Sequence, residues 1–380
     1  MIRHALAVAT VSLGLVWSTG GVGQGFDTAA RHALMIDEAT GAVLMEKAAD
    51  VPMQPSSMSK LMTLYIVFER IAQGKLKLED TLAVSQKAWR TGGSKMFVAV
   101  NSRVSVEDLL RGVIVQSGND ACVVLAEGLA GSEQAFAEEM NRKAKELGLQ
   151  NSHFVNASGL PEDDQLVTAH DLAILARRLI RDFPQFYGYF AEQNFTYNGI
   201  KQGNRNPLLY RDTGVDGLKT GHAEDAGFGL VASAKRGDRR LILVVNGLGS
   251  MNERSRETVR ILDWGFREFK NYPLVKGGQP IETVPVWLGD KPSVSLVAAN
   301  DVLLTLSRQA RRDLQVKVAY DEPQSAPIRR GAVLGMMTIE VPKGALIRVP
   351  LVADDDVERL NFVGRFAAAV NYLLWGHQAP

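Results

Sequence analysis

Pro55-Ser56-Ser57-Met58-Ser59-Lys60-Leu61-Met62-Thr63-Leu64-Tyr65-Ile66-Val67-Phe68 joins a small polar turn to a run that is apolar nearly all the way round. A helix without a polar face is buried in the middle of a domain. Pro55 sits where helix entry favours it. The stretch therefore predicts a central helix from Ser57 to about Gln73 with the rest of a domain wrapped around it. Ser57 and Lys60, three apart, share a face of that helix, so the amine can reach the hydroxyl if both lie in its first turn.

Two further motifs follow in order: Ser117-Gly118-Asn119, then Lys219-Thr220-Gly221. Ser-x-x-Lys alone arises about once by chance in a chain of this size, and Lys-Thr-Gly in roughly one chain in ten, so order and spacing carry the weight. Together they describe a serine acyl-transfer site with a lysine base. Such a lysine must be partly neutral at neutral pH, and burial beside a second cation lowers its pKa in that direction. Lys219 is the candidate for that cation. A helix N-terminus adds positive potential and free N–H groups near the Ser57 oxygen. Ser117 offers a hydroxyl that can relay a proton, and the Asn119 amide can bond both Lys60 and a substrate carbonyl. Lys219 and Thr220 offer a cation and a hydroxyl to a carboxylate, and Gly221 would let an extended peptide lie close along a strand edge.

Outward from the motifs, Ala33–Asp37 and Ala42–Glu46 read as a hairpin around a Gly-containing turn. Val106–Gln116, Asp120–Leu129, Ser132–Leu147, Ala169–Arg181 and Arg254–Lys270 read as helices, and Asp216–Thr220, Gly227–Ala234 and Leu241–Gly247 as successive strands. Strands at both ends with helices between predict one α/β domain over residues 26–271. Beyond it, short β-type runs (Thr283–Leu288, Ser293–Val297, Val302–Leu306, Leu314–Ala319, Ala332–Ile339, Leu346–Val352) predict a small all-β domain over 272–353. Residues 354–380 then place Val357, Leu360, Val363, Phe366, Val370, Leu373 and Leu374 at helical spacing.

The charges nearly balance, at a formal net +1, and no Lys/Arg run forms a phosphate-tracking stripe, which sets nucleic acid aside. Arg3 and His4, the apolar run Ala5–Trp17 and the small residues Ser18–Gly25 have the layout of a secretory signal peptide over residues 1–25, cut near Gly23 or Gly25. The single cysteine, Cys122, permits neither an internal disulfide nor a thiolate metal cluster and reads as a small core residue. Six scattered histidines give no zinc pattern, so no metal or cofactor is expected.

The segments 55–63, Gln116-Ser117-Gly118-Asn119-Asp120-Ala121-Cys122 and Asp216-Gly217-Leu218-Lys219-Thr220-Gly221-His222 resemble the low-molecular-mass D-alanyl-D-alanine carboxypeptidases of the penicillin-binding protein 5 group. Asn151-Ser152-His153-Phe154, Asn204-Arg205-Asn206 and Leu262-Asp263-Trp264-Gly265-Phe266 resemble the same group. The resemblance implies a transpeptidase-like α/β domain, a β-rich domain and a final amphipathic helix on the outer face of the inner membrane. It implies Ser57 as acylated nucleophile, Lys60 as base, Ser117 and Asn119 as the second motif, and Lys219 and Thr220 as carboxylate and proton-transfer groups. It also implies an oxyanion hole from the N–H groups of Ser57 and His222, with Arg205 and Arg254 near the substrate carboxylate. The expected reaction removes terminal D-alanine from peptidoglycan stem pentapeptides, with β-lactams as inhibitors. Two features depart from the family pattern: Ser59 replaces the usual threonine, and Trp89–Met96 is shorter than the usual active-site loop. A β-lactamase, an endopeptidase acting on cross-links and a non-catalytic wall-binding scaffold remain rival readings, the first weakened by Ser-Gly-Asn in place of Ser-Asp-Asn.

Overall fold

A computed structural model describes residues 26–375, apart from Lys343 and Ala345. The expected signal peptide and the last residues of the expected terminal helix, 376–380, lie outside the described residues.

The N-terminal half is built on a five-stranded antiparallel sheet of β1 (His32–Asp37), β2 (Val43–Lys47), β3 (Val215–Ala223), β4 (Gly227–Arg236) and β5 (Arg239–Leu248), in the order β2-β1-β5-β4-β3. The β1–β2 hairpin thus pairs, through β1, with β5, and β3 is left as an edge. Among the described residues, six longer helices surround the sheet, beside the short helix Gln86–Arg90: α1 (Lys60–Ala72), α2 (Val106–Ile114), α3 (Asn119–Ala130), α4 (Glu133–Leu147), α5 (Ala169–Asp182) and α6 (Met251–Glu268). Alternation along the strands sends Leu34, Ile36, Val231, Ile242 and Val244 into the cluster around α1 to α5. Their neighbours Ala33, Met35, Ala232, Leu243 and Val245 turn to the opposite face and meet Ile261 and Leu262 of α6. Buried on both faces, β4 and β5 read as near-continuous apolar runs.

Local chemistry moves several boundaries from those expected. Ser56–Ser59 forms a 3₁₀ turn and the α-helix proper begins at Lys60, so the nucleophile candidate stands on a tight turn feeding α1. Ser250 accepts from the Glu253 N–H at 3.1 Å, and Glu253 reaches back to the Gly249 N–H at 2.7 Å. This reciprocal capping starts α6 at Met251 rather than Arg254. The same helix stops at Glu268 because Phe269–Val275 runs on as a strand paired with Val302–Ser307.

The C-terminal half is all-β apart from the short helix Arg308–Arg312 and a terminal helix: a six-stranded sheet in the order Gln315–Tyr320, Val333–Glu340, Leu346–Ala353, Ser293–Ala298, Pro280–Trp287, Gln324–Ser325. Val284, Leu296, Met337, Ile339 and Leu351 fill its core. The two halves are tied where Asn271 donates to Asp37 Oδ1 at 3.2 Å and accepts from the Thr305 hydroxyl at 2.8 Å. The terminal helix α7 (Phe362–Trp375) begins later than its spacing predicts. Val357 is instead buried in a bridge to Ile328, and the Leu360 N–H donates to the Leu288 carbonyl at 2.9 Å. Among the described residues, no helix is long and apolar enough to cross a membrane.

Candidate active site

Three elements converge: the 3₁₀ turn that begins α1, the turn between α2 and α3, and the edge strand β3 packed against the first of these turns. Lys60 Nζ lies 2.8 Å from Ser57 Oγ, 2.7 Å from Asn119 Oδ1 and 2.5 Å from the Ser158 carbonyl oxygen. A neutral amine has two hydrogens and one lone pair. Asn119 and Ser158 offer only acceptors and take the two hydrogens, which leaves the lone pair for the Ser57 hydroxyl.

Lys60 is completely buried, and loss of hydration lowers its pKa to about 8, against the opposing pull of Cys122 and Asp120. Of the two causes the sequence suggested, burial and a second cation beside it, burial is the leading one for Lys60. Lys219 is buried as deeply and donates to Ser117 Oγ at 2.9 Å and to the Thr220 carbonyl at 3.3 Å. Its pKa is pushed well down, first by burial and then by the positive charges of Lys60, Arg254 and Arg205, with Cys122 opposing. A pocket with this much positive potential favours an anion.

Ser117 has φ 58°, a left-handed conformation unusual for a side-chain-bearing residue, and this turns its hydroxyl toward Lys219. Asn119 is the first residue of α3 rather than part of the connecting turn. Its Nδ2 donates to the Gly92 carbonyl at 2.8 Å, which fixes the amide with Oδ1 toward Lys60.

On β3, Lys219, Thr220 and Gly221 are buried, whereas His222 is exposed and stacks on Phe228 at 4.0 Å between ring centroids. The close approach that Gly221 permits is to the turn that carries Ser57: a Cβ there would stand 3.0 Å from the Pro55 carbonyl and 3.1 Å from Met58 Cγ. Arg254 is buried, donates to the Gly229 carbonyl at 3.3 Å and leaves its Nε without a partner. Burial lowers its pKa to about 10. Arg205 is exposed and donates to Gln202 Oε1 at 3.2 Å. Cys122 is inside the core, where burial raises its thiol to about 12. Ser59 is also buried, donating to the Ser56 carbonyl at 2.9 Å and accepting from Gln165 Nε2 at 3.1 Å.

Sequence reasoning missed the carbonyls of Ser158 and Gly92. Main-chain oxygens carry no residue signature, and Ser158 stands 98 positions from Lys60.

A family model described as D-alanyl-D-alanine carboxypeptidase matches residues 21–250, and one described as penicillin-binding protein 5, C-terminal domain, matches 269–359. D-alanyl-D-alanine carboxypeptidase DacC of Escherichia coli (strain K12) is 41% identical over 344 residues, covering 88% of this chain and 86% of that protein. The crystal structure of penicillin binding protein 5 from Haemophilus influenzae superimposes with a TM-score of 0.81 at 37% identity, over 89% of this chain and 100% of that one. Penicillin-Binding Protein D2 from Listeria monocytogenes, in its ampicillin-bound form, superimposes at 0.59 with 32% identity, over 64% of this chain and 99% of that one.

Proposed function

The chain belongs to the D-alanyl-D-alanine carboxypeptidase family and is a serine-type carboxypeptidase, and from that premise we propose how its residues divide the work. The Ser57 Oγ attacks the carbonyl carbon of the penultimate D-alanine of a peptidoglycan stem pentapeptide, and its proton passes to the free lone pair of Lys60. The oxyanion is held by the main-chain N–H groups of Ser57 and His222. Collapse breaks the C–N bond. The leaving amine takes a proton from the Lys60 ammonium through the Ser117 hydroxyl, and terminal D-alanine departs. Water, deprotonated by Lys60, then hydrolyses the Ser57 ester to the shortened peptide.

Lys219 and Thr220 hold the substrate's terminal carboxylate. Arg254, buried with an unpartnered Nε, and Arg205 add positive potential that draws that carboxylate in. The substrate backbone lies along the open edge of β3. β-Lactams acylate the same serine. Residues 1–25 direct export, 26–271 form the catalytic domain and 272–353 the β-domain. Residues 354–380 lay Phe362, Val363 and Phe366, all exposed, into the outer surface of the inner membrane.

The observation that carries this reading is Lys60 Nζ, fully buried, 2.8 Å from Ser57 Oγ with its other contacts all acceptors. The test is release of free D-alanine from N-acylated L-Lys-D-Ala-D-Ala by the full chain beside Ser57→Ala. Wild type should release it and the folded variant should not. Equal release by both would overturn the assignment.

A further inference from the structure

Asp120 has no part in the chemistry above, yet it is 1% exposed and, among the described residues, forms no ion pair. It accepts four main-chain N–H groups: Met96 at 3.0 Å, Phe97 at 2.9 Å, Val98 at 3.2 Å and its own neighbour Ala121 at 2.9 Å. Three consecutive amides of one loop thus aim at a single anion, with Phe97 at φ 69° helping to turn them inward. The adjoining Asn119 holds the same loop, by its N–H to the Ser94 carbonyl at 2.8 Å and its Nδ2 to Gly92.

The glycine of the second motif fits this arrangement. A Cβ on Gly118 would stand 2.8 Å from Asp120 Oδ1 and 3.2 Å from the Met96 nitrogen, so the absent side chain leaves the space in which carboxylate and amide meet. Gly118 has φ −61°, which any residue can adopt, so proximity rather than conformation excludes larger residues.

We infer that Asp120 is a positioning residue: it clamps the 92–98 loop, the loop fixes the Asn119 amide, and that amide holds the Lys60 amine toward Ser57. The inference rests on Lys60 as general base. Charge joins geometry here, because Asp120 and Cys122 act on Lys60 from α3 and Lys219 faces the same pocket from β3. Removing the Asp120 charge takes away an influence that favours the ammonium form of Lys60, so its pKa must fall.

Two variants separate clamp from charge. In Asp120→Asn one acceptor oxygen becomes a donor facing loop amides, and the charge is lost. In Gly118→Ala the charge stays but the carboxylate is pushed from Met96. The measurement is the pH dependence of kcat/KM for D-alanine release by the full chain. We expect both variants to reach a plateau about ten- to a hundredfold below wild type. In Asp120→Asn the acid limb should also move to lower pH, while in Gly118→Ala it should stay. A folded Asp120→Asn protein with an unchanged limb and plateau, whatever its melting temperature, would overturn the inference. If that variant does not fold, a wild-type plateau in Gly118→Ala overturns it instead. Activity surviving in Ser57→Ala would mark failure of the underlying mechanism rather than of the clamp.

Discussion

With two of its three amine positions occupied by acceptors, Lys60 can act on Ser57 only as the neutral form. With a pKa of about 8, some tenth of it is neutral at pH 7. Because the proposed mechanism runs through the deprotonated amine, kcat/KM should climb about tenfold per unit below that pKa and level off above it, as a pH–rate profile will show. A profile flat from pH 6 to about 9 would rule Lys60 out as the base. Gly221 gives a second test at this scale. Gly221→Ala would press a methyl against the Pro55 carbonyl and Met58, shifting the turn that carries Ser57 away from β3. Its kcat/KM should fall about a hundredfold while the fold survives, as steady-state kinetics beside circular dichroism will reveal. The side chains that the structure brings together, Ser57, Lys60, Ser117, Asn119 and Lys219, were legible in the sequence because each carries a chemical signature. The Gly221 contact was not, since a missing side chain does not say which neighbour comes close.

Elements set these residues in place through polar ties that spacing alone does not disclose. β3 is an edge strand, and what steadies it is a bidentate pair: Arg240 on β5 meets both oxygens of Asp216 at 2.6 Å, and the Tyr187 hydroxyl joins at 2.7 Å. Asp216→Ala would leave Arg240, only 14% exposed, without its charge partner. We expect a loss of about 1–3 kcal/mol, read as a lower denaturant midpoint, and weaker kcat/KM because Lys219 and His222 ride on the same strand. A midpoint equal to wild type would show that the pair steadies nothing. The helices and strands were legible from their apolar periods. Their ends were less so: the Ser250 cap moved α6, and the Asp120 clamp depends on a loop with no period at all.

Across the whole molecule, the two halves meet through Asp37, Asn271 and Thr305, while α7 leaves Phe362, Val363 and Phe366 uncovered, each at least 67% exposed. Removing residues 362–380 should leave D-alanine release from a soluble tripeptide unchanged and abolish co-sedimentation with phospholipid vesicles; undiminished sedimentation would refute membrane attachment through α7. The order of an α/β half before a β half was legible from composition. That Val357 belongs to the β core was not, because its place in the helical period is as good as that of Val363. What the whole account depends on is one acylated serine, and trapping it is the most direct measurement. The full chain, treated with penicillin and examined by intact mass and peptide mapping, should carry one adduct per chain, located on Ser57 and absent from Ser57→Ala. An adduct on any other residue, or none on well-folded protein, would contradict it.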